Sequence, residues 1–281
     1  MDIVSPSVDI ADLDRRHIGA DGVGRTPLGK MMNRLGNTRS IRELSSTLSP
    51  DDSSWPQVYG ELMEWAVLLD LASAKHASDV VILRDGFLRS KAFTEPKFER
   101  YHQVLKDAID AQFKEHRRRV YLVGIARRSK LLQYYGLAMA IEGVLRNAYP
   151  SYVAVPTEFA EDVYKWKEYA EGRMVAGKMF FVKFGPRPQD RVWAADIFQP
   201  QADQSPAIFG YLLGDALNGF PVPYYPLCLQ RAREQAELLD FDFGVLQDQI
   251  SDCIRSGLGS KRHLVDEFEL QEDLADARND Q

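Results

Sequence analysis

Val80-Val81-Ile82-Leu83-Arg84-Asp85-Gly86-Phe87-Leu88 is the stretch on which the reading of this chain turns. Its opening residues are apolar and mostly β-branched, a run too short for a helix and suited to a buried strand. The strand closes on Asp85, and Gly86 lets the backbone turn sharply past it. A carboxylate delivered to the end of a sheet is a natural ligand for a hard divalent cation, although Asp-Gly is also ordinary turn chemistry. Upstream, Val58, Leu62, Trp65, Ala66, Leu69 and Ala72 recur at helical spacing. Asp51, Asp52, Ser53 and Ser54 offer N-caps, and Pro56 suits a first helical turn. This helix is expected to run to about His76. Downstream, residues 96 to about 117 form a second amphipathic pattern, followed by Val120-Tyr121-Leu122-Val123-Gly124-Ile125, a second apolar strand. Strand, helix and strand in that order predict a parallel crossover unit.

Beyond the second strand, Arg127, Arg128, Ser129 and Lys130 precede a helical stretch over residues 131–146. Three cations and a hydroxyl at the start of a helix suit phosphate, and equally suit a solvated helix end. Residues 178–184 and 191–198 read as an antiparallel pair around Gly185-Pro186-Arg187-Pro188, with Asp196 in the second strand either a further ligand or, by preference, a strand-edge polar residue. A helix is expected from Ser205 and another after Pro226, carrying Leu227, Leu229, Ala232, Ala236 and Leu239. Tyr225 and Arg233, about two turns apart, are expected to lean toward one cleft. Residues 1–54 are polar, with at most a short helix near Leu28 to Leu35. Residues 256–281 read as a polar tail, acidic from Glu267 onward. The expected organisation is an extension (1–54), one α/β domain (55–255) and the tail.

The chain has 281 residues, 45% hydrophobic and 27% charged, enough for a large core. A net charge of −6 and a pI near 5.5 set it apart from small non-specific nucleic-acid binders, so any phosphate contact falls to local patches. Two cysteines, Cys228 and Cys253, are too few and too far apart for a zinc site or a disulfide framework, which fits a reducing cytoplasm. There is no apolar run of membrane-spanning length, and residues 1–9 have no signal-peptide pattern.

Glu61 and Glu64 fall one turn apart on the helix before the first strand. A glutamate there could meet Asp85 at a shared metal, an arrangement suited to phosphodiester hydrolysis, or both could face solvent. Walker, paired-cysteine and Gly-x-Ser-x-Gly motifs are absent, which argues against nucleotide-driven motors, zinc hydrolases and serine hydrolases.

Four stretches in this order resemble the NurA nucleases: Gly60-Glu61-Leu62-Met63-Glu64-Trp65, the strand ending Asp85-Gly86-Phe87-Leu88, Val123-Gly124-Ile125-Ala126-Arg127-Arg128-Ser129, and Tyr225-Pro226-Leu227-Cys228-Leu229-Gln230-Arg231-Ala232-Arg233. The resemblance spans roughly residues 58–240. It implies an RNase H-like mixed sheet flanked by helices and Mn2+- (or Mg2+-) dependent cutting of DNA in end processing, repair or anti-phage defence. It also implies a HerA-type hexameric translocase as partner and a homodimer whose DNA channel is lined by Arg127, Arg128 and Lys130. Asp85 and Glu64 would be the metal ligands, with Glu61 one helical turn away as the alternative to Glu64, and Tyr225 would contact or orient phosphate. The chain departs from the family in three places. Arg233 stands where the family has histidine, and arginine can clamp phosphate but not shuttle a proton. Gly86 is followed by Phe87 rather than a small hydroxyl residue. The family's opening Asp-Gly-Ser strand is represented only by Asp21-Gly22. Either Asp21 is the ligand on a degenerate strand, or the chain starts downstream of the motif, with Met1 an internal methionine. The second alternative makes the chain a catalytically impaired adaptor that keeps the translocase- or DNA-binding surface.

Overall fold

The computed structural model describes residues 10–19, 21–45, 55–159, 174–236, 245–250, 252–253 and 256. The cap candidates at 51–54, Leu239 and the acidic tail lie outside them. The chain forms two units, Met1–Leu229 and Gln230–Gln281. In the first, helices α1 (Ile10–His17), α2 (Pro27–Arg34) and α3 (Trp55–Ser73) lead to strand β1 (Val80–Asp85). There follow β2 (Arg89–Ser90), α4 (Glu95–His116), β3 (Val120–Ala126), α5 (Lys130–Ile141), β4 (Ser151–Ala154), β5 (Met174–Val175), β6 (Gly177–Lys183), β7 (Val192–Phe198) and α6 (Ser205–Ala216). Helix α7 (Leu227–Ala236) begins in the first unit and ends in the second.

The fold is mixed α/β. Five strands in the order β1-β3-β7-β6-β4 make the central sheet, and β2 pairs with β5 apart from it. The crossover expected from the sequence is present: β1 and β3 are parallel through α4, with Val80 opposite Val120 and Asp85 opposite Ile125. The remaining pairs are antiparallel, including the β6–β7 hairpin read from residues 178–198. Helix α5 is shorter than its apolar pattern, stopping at Ile141 ahead of the left-handed Gly143 and Leu145.

Strand alternation assigns each side chain to a face. Ile82, Val120, Leu122 and Phe198 pack under α3 and α4, joined by Leu28, Met31, Met32, Ile41 and Leu44. On the same side α5 sets Leu131 against Met179, Phe181 and Ala194. The opposite face presents Val81, Leu83, Tyr121, Val123, Ile125, Trp193, Ala195 and Ile197 to α6 and to Tyr225 and Leu229. The chain after β1 then folds back over the α3 face. A Cβ on Gly124 would stand 2.4 Å from Gly86 O and 3.0 Å from Leu88 N, so only glycine admits that crossing. Gly177 serves the same purpose on β6, where a Cβ would meet the Asp196 Cβ at 2.7 Å.

Candidate functional site

Asp85 stands exposed at the end of β1, on the face it shares with Val81 and Leu83. Its neighbour Arg84 points to the other face, as consecutive strand residues must. There the Arg84 guanidinium lies 4.9 Å above the Trp65 ring and bonds Glu64 Oε2 from Nη2 (2.8 Å) and Nε (3.1 Å). It also donates to Phe87 O and Arg89 O, tying the loop down. Glu64 therefore anchors an arginine on the α3 side, with its side chain still 57% exposed. Glu61 serves the fold as well, accepting from Trp65 Nε1 (3.3 Å) and Lys91 N (3.1 Å). The two carboxylates expected to share a metal are thus sent to opposite faces.

Asp21 lies in a tight turn. Its Oδ1 accepts Val23 N at 3.1 Å, its Oδ2 is 4.0 Å from Arg25, and the turn is closed by the Ile18–Gly24 bridge. Among the described residues, no group of three or more His, Cys, Asp or Glu side chains is placed to hold a metal ion. The donor set expected for Mn2+ or Mg2+ (Asp85, Glu64, Asp21) does not fit such an ion as placed.

The basic cluster meets the expectation of a helix start more closely. Arg127, Arg128 and Lys130 are exposed, and buried Ser129 caps α5 by accepting Leu132 N at 3.4 Å. Because Asp85 pairs with Ile125, and Arg127 follows two residues later, the carboxylate and the cations stand at the same end of the sheet. A cation that the sequence reading passed over joins them. Arg191 lies 4.3 Å above the Trp193 ring and donates to Arg127 O at 3.1 Å. Trp193 in turn donates to Tyr224 O (2.7 Å) and packs its ring 4.6 Å from Tyr225. The signal was present in Arg191-Val192-Trp193, where the alternation puts a cation and an aromatic ring on one face.

Tyr225 is buried and precedes α7 rather than belonging to it, so helical spacing to Arg233 does not apply. Arg233 is exposed, on the part of α7 that belongs to the second unit.

Asp196 corrects the strand-edge reading. It sits on β7, the middle strand of the sheet, wholly buried, and accepts Leu88 N at 3.1 Å and Arg89 Nε at 3.4 Å. Burial pushes its carboxyl above the usual range, against the pull of Arg89 and the Leu88 amide. Its Oδ1 has no hydrogen-bond partner. Position and partners make it the post to which the folded-back loop is tied.

No helix among the described residues is long and apolar enough to cross a membrane. No family model matches the chain, and neither a curated protein nor a solved structure matches it.

Proposed function

We propose that this chain is a NurA-like subunit of RNase H-like descent that binds DNA and a HerA-type translocase in the cytoplasm. In this reading it acts as an adaptor in DNA processing, without cutting through a shared Asp85–Glu64 metal site. The observation that carries this choice is the division of the two carboxylates by the sheet, with Glu64 bonded to Arg84 on the far side from Asp85. DNA would lie along Arg127, Arg128, Lys130 and Arg191, where guanidinium groups can pair with phosphate.

A second reading, a Mn2+- or Mg2+-dependent deoxyribonuclease centred on Asp85, is favoured by one fact: Asp85 is exposed at the same end of the sheet as those cations. One experiment separates the two. Linear DNA is incubated with purified protein in Mn2+ or Mg2+, with and without the translocase, and binding and degradation are both followed. The adaptor reading expects binding that weakens in Arg127→Ala/Arg128→Ala, with the slope of log affinity against log salt reduced by roughly 0.9 for each phosphate the variant no longer neutralises, and no metal-dependent degradation. Degradation abolished by Asp85→Ala would install the second reading. Salt-insensitive binding, or none, would remove both.

A further inference from the structure

We propose that a recess at the start of β3 binds a free nucleoside monophosphate, the phosphate held by Arg119 and Tyr121 and the ring seated against Phe113. The recess lies at the end of the sheet remote from Arg127, separated from it by the length of β3 (Val120–Ala126), roughly 20 Å. It follows from where the strands stop. β7 pairs with β3 from Val123 onward and leaves the sheet after Phe198 for the turn Gln199–Gln204, so the first residues of β3 have no strand beside them on that side. The buried Gln201 side chain takes the missing strand's place, accepting from Leu122 N at 3.0 Å and donating to Val120 O at 2.6 Å. A side chain fills less space than a strand. Between that turn, β3 and α4 there remains a cavity of about 430 Å³, within the range that small ligands occupy.

The lining sorts into an apolar wall and a cationic edge. Ile109, Phe113, Val120 and Phe198 supply the wall. Phe113 is 44% exposed, with the Arg117 guanidinium 5.7 Å from its ring, a setting in which a base can stack. Lys106 and Arg119 stand at the edge, and Lys106 is already paired with Asp110, Nζ to Oδ2 at 2.8 Å. Arg119 therefore carries the net positive charge of the lining. Arg117 and Arg118, exposed and next to it in sequence, add to the local field of a chain whose net charge is −6. Tyr121 also lines the cavity, and its buried hydroxyl has no hydrogen-bond partner among the described residues. The Arg119 guanidinium interacts with that hydroxyl without meeting it in hydrogen-bond geometry. An unpaired buried hydroxyl is costly, and a phosphate oxygen is an acceptor that it can share with an arginine fork. Phosphate suits the edge better than carboxylate, because three consecutive arginines offer more than one positive charge.

The test is an NMR titration of the full chain with AMP, adenosine and inorganic phosphate. AMP is expected to bind with a dissociation constant on the order of 100 μM, and adenosine and phosphate, each making half of the contacts, about tenfold more weakly or worse. Arg119→Ala is expected to bring AMP down to the level of adenosine, about a tenfold loss, and to leave adenosine unchanged. Phe113→Ala is expected to weaken AMP and adenosine alike, by about fivefold or more. Both side chains are exposed, so the unfolding midpoints of the two variants are expected to stay near that of the wild type. Arg127→Ala/Arg128→Ala is expected to leave AMP affinity unchanged, because the length of β3 exceeds the screening length of about 8 Å at physiological salt. That arm keeps this site separable from the DNA surface. Absence of AMP binding at about 5 mM overturns the proposal. So does adenosine bound as tightly as AMP, AMP affinity untouched by Arg119→Ala or by Phe113→Ala, or AMP affinity lost in the Arg127→Ala/Arg128→Ala protein. A 5′-phosphorylated oligonucleotide that binds through Arg119 more tightly than AMP would overturn it in favour of a strand end.

Discussion

On the α3 side of the sheet, Arg84 is stacked on Trp65 and bonded to Glu64, and Arg89 is bonded to the buried Asp196. On the α6 side, Asp85 stands exposed at the end of β1, and Arg127 stands exposed just past β3, at the same end of the sheet. The first set closes a loop over the sheet, and the second faces solvent where a ligand could reach it. The contrast teaches that the same residue types, a few ångströms apart across one backbone, have different physical purposes. The buried Arg89–Asp196 pair is costly to break because the surviving charge is stranded, whereas exposed charges contribute little to stability.

The most direct way to break this comparison is to remove one aspartate from each face. Asp196→Ala leaves the Arg89 guanidinium, 10% exposed, without its carboxylate and releases the Leu88 amide. A loss of about 3 kcal/mol in urea unfolding is expected. Asp85→Ala is expected to stay within about 0.5 kcal/mol of the wild type. Similar losses from both would show that the two faces do not differ as described.

A smaller effect sharpens the picture on the α3 side. His17 is buried between Thr26 and Tyr59, its Nδ1 2.6 Å from Thr26 Oγ1 and its Nε2 2.7 Å from Tyr59 Oη, and so joins the first helix to α3. Burial holds its pKa below the usual 6.5, partly offset by Asp14. In the window between the folded pKa and 6.5 the unfolded chain binds more protons, so stability is full above about 6.5 and falls as pH drops through that window. His102 is lowered too, by burial and Lys106, and contributes to the same slope. The difference between wild type and His17→Phe in unfolding midpoint from pH 8 to 5 isolates His17. The variant is expected to be less stable at pH 8 and to lose less on acidification. Parallel curves would mean that His17 takes up its proton equally in the folded and unfolded chain.

Much of this architecture was legible in advance because periodicity is a local signal. Val80 to Leu83 and Val120 to Ile125 declared their strands, and the helix between them fixed the parallel crossover. Leu28, Met31, Met32 and Ile41 were harder, since glycine, arginine and asparagine break up their pattern, yet they enter the same core as Trp65. At the site, part of the answer was available in the sequence itself. Arg84 and Asp85 are consecutive, so a strand must send them to opposite faces whatever surrounds it. Which face α3 covers, and hence where Glu64 goes, depends on packing that no local pattern carries. The closures over Gly124 and Gly177 are likewise long-range, bringing residue 88 against residue 196.

The finest test of the two faces substitutes the carboxylates without truncating them. Glu64→Gln weakens the bond to Arg84, but Glu64 is more than half exposed and Arg84 keeps its bonds to Phe87 O and Arg89 O. A cost of about 0.5 kcal/mol and unchanged DNA affinity are expected. Asp85→Asn acts on binding instead. With no metal bound, the Asp85 carboxylate repels any phosphate held by Arg127, so its removal is expected to tighten DNA binding two- to fivefold at low salt, about 0.5–1 kcal/mol, and less as salt rises. If Asp85 held a divalent cation that bridges to phosphate, the same substitution would weaken binding in Mn2+ and tighten it only in chelator. Affinities of the two variants, measured by fluorescence anisotropy with Mn2+ and with EDTA, therefore decide which role Asp85 has. They also show whether Glu64 shares it, because a shared ion would make Glu64→Gln follow Asp85→Asn in Mn2+, and the opposed faces of the sheet predict that it does not.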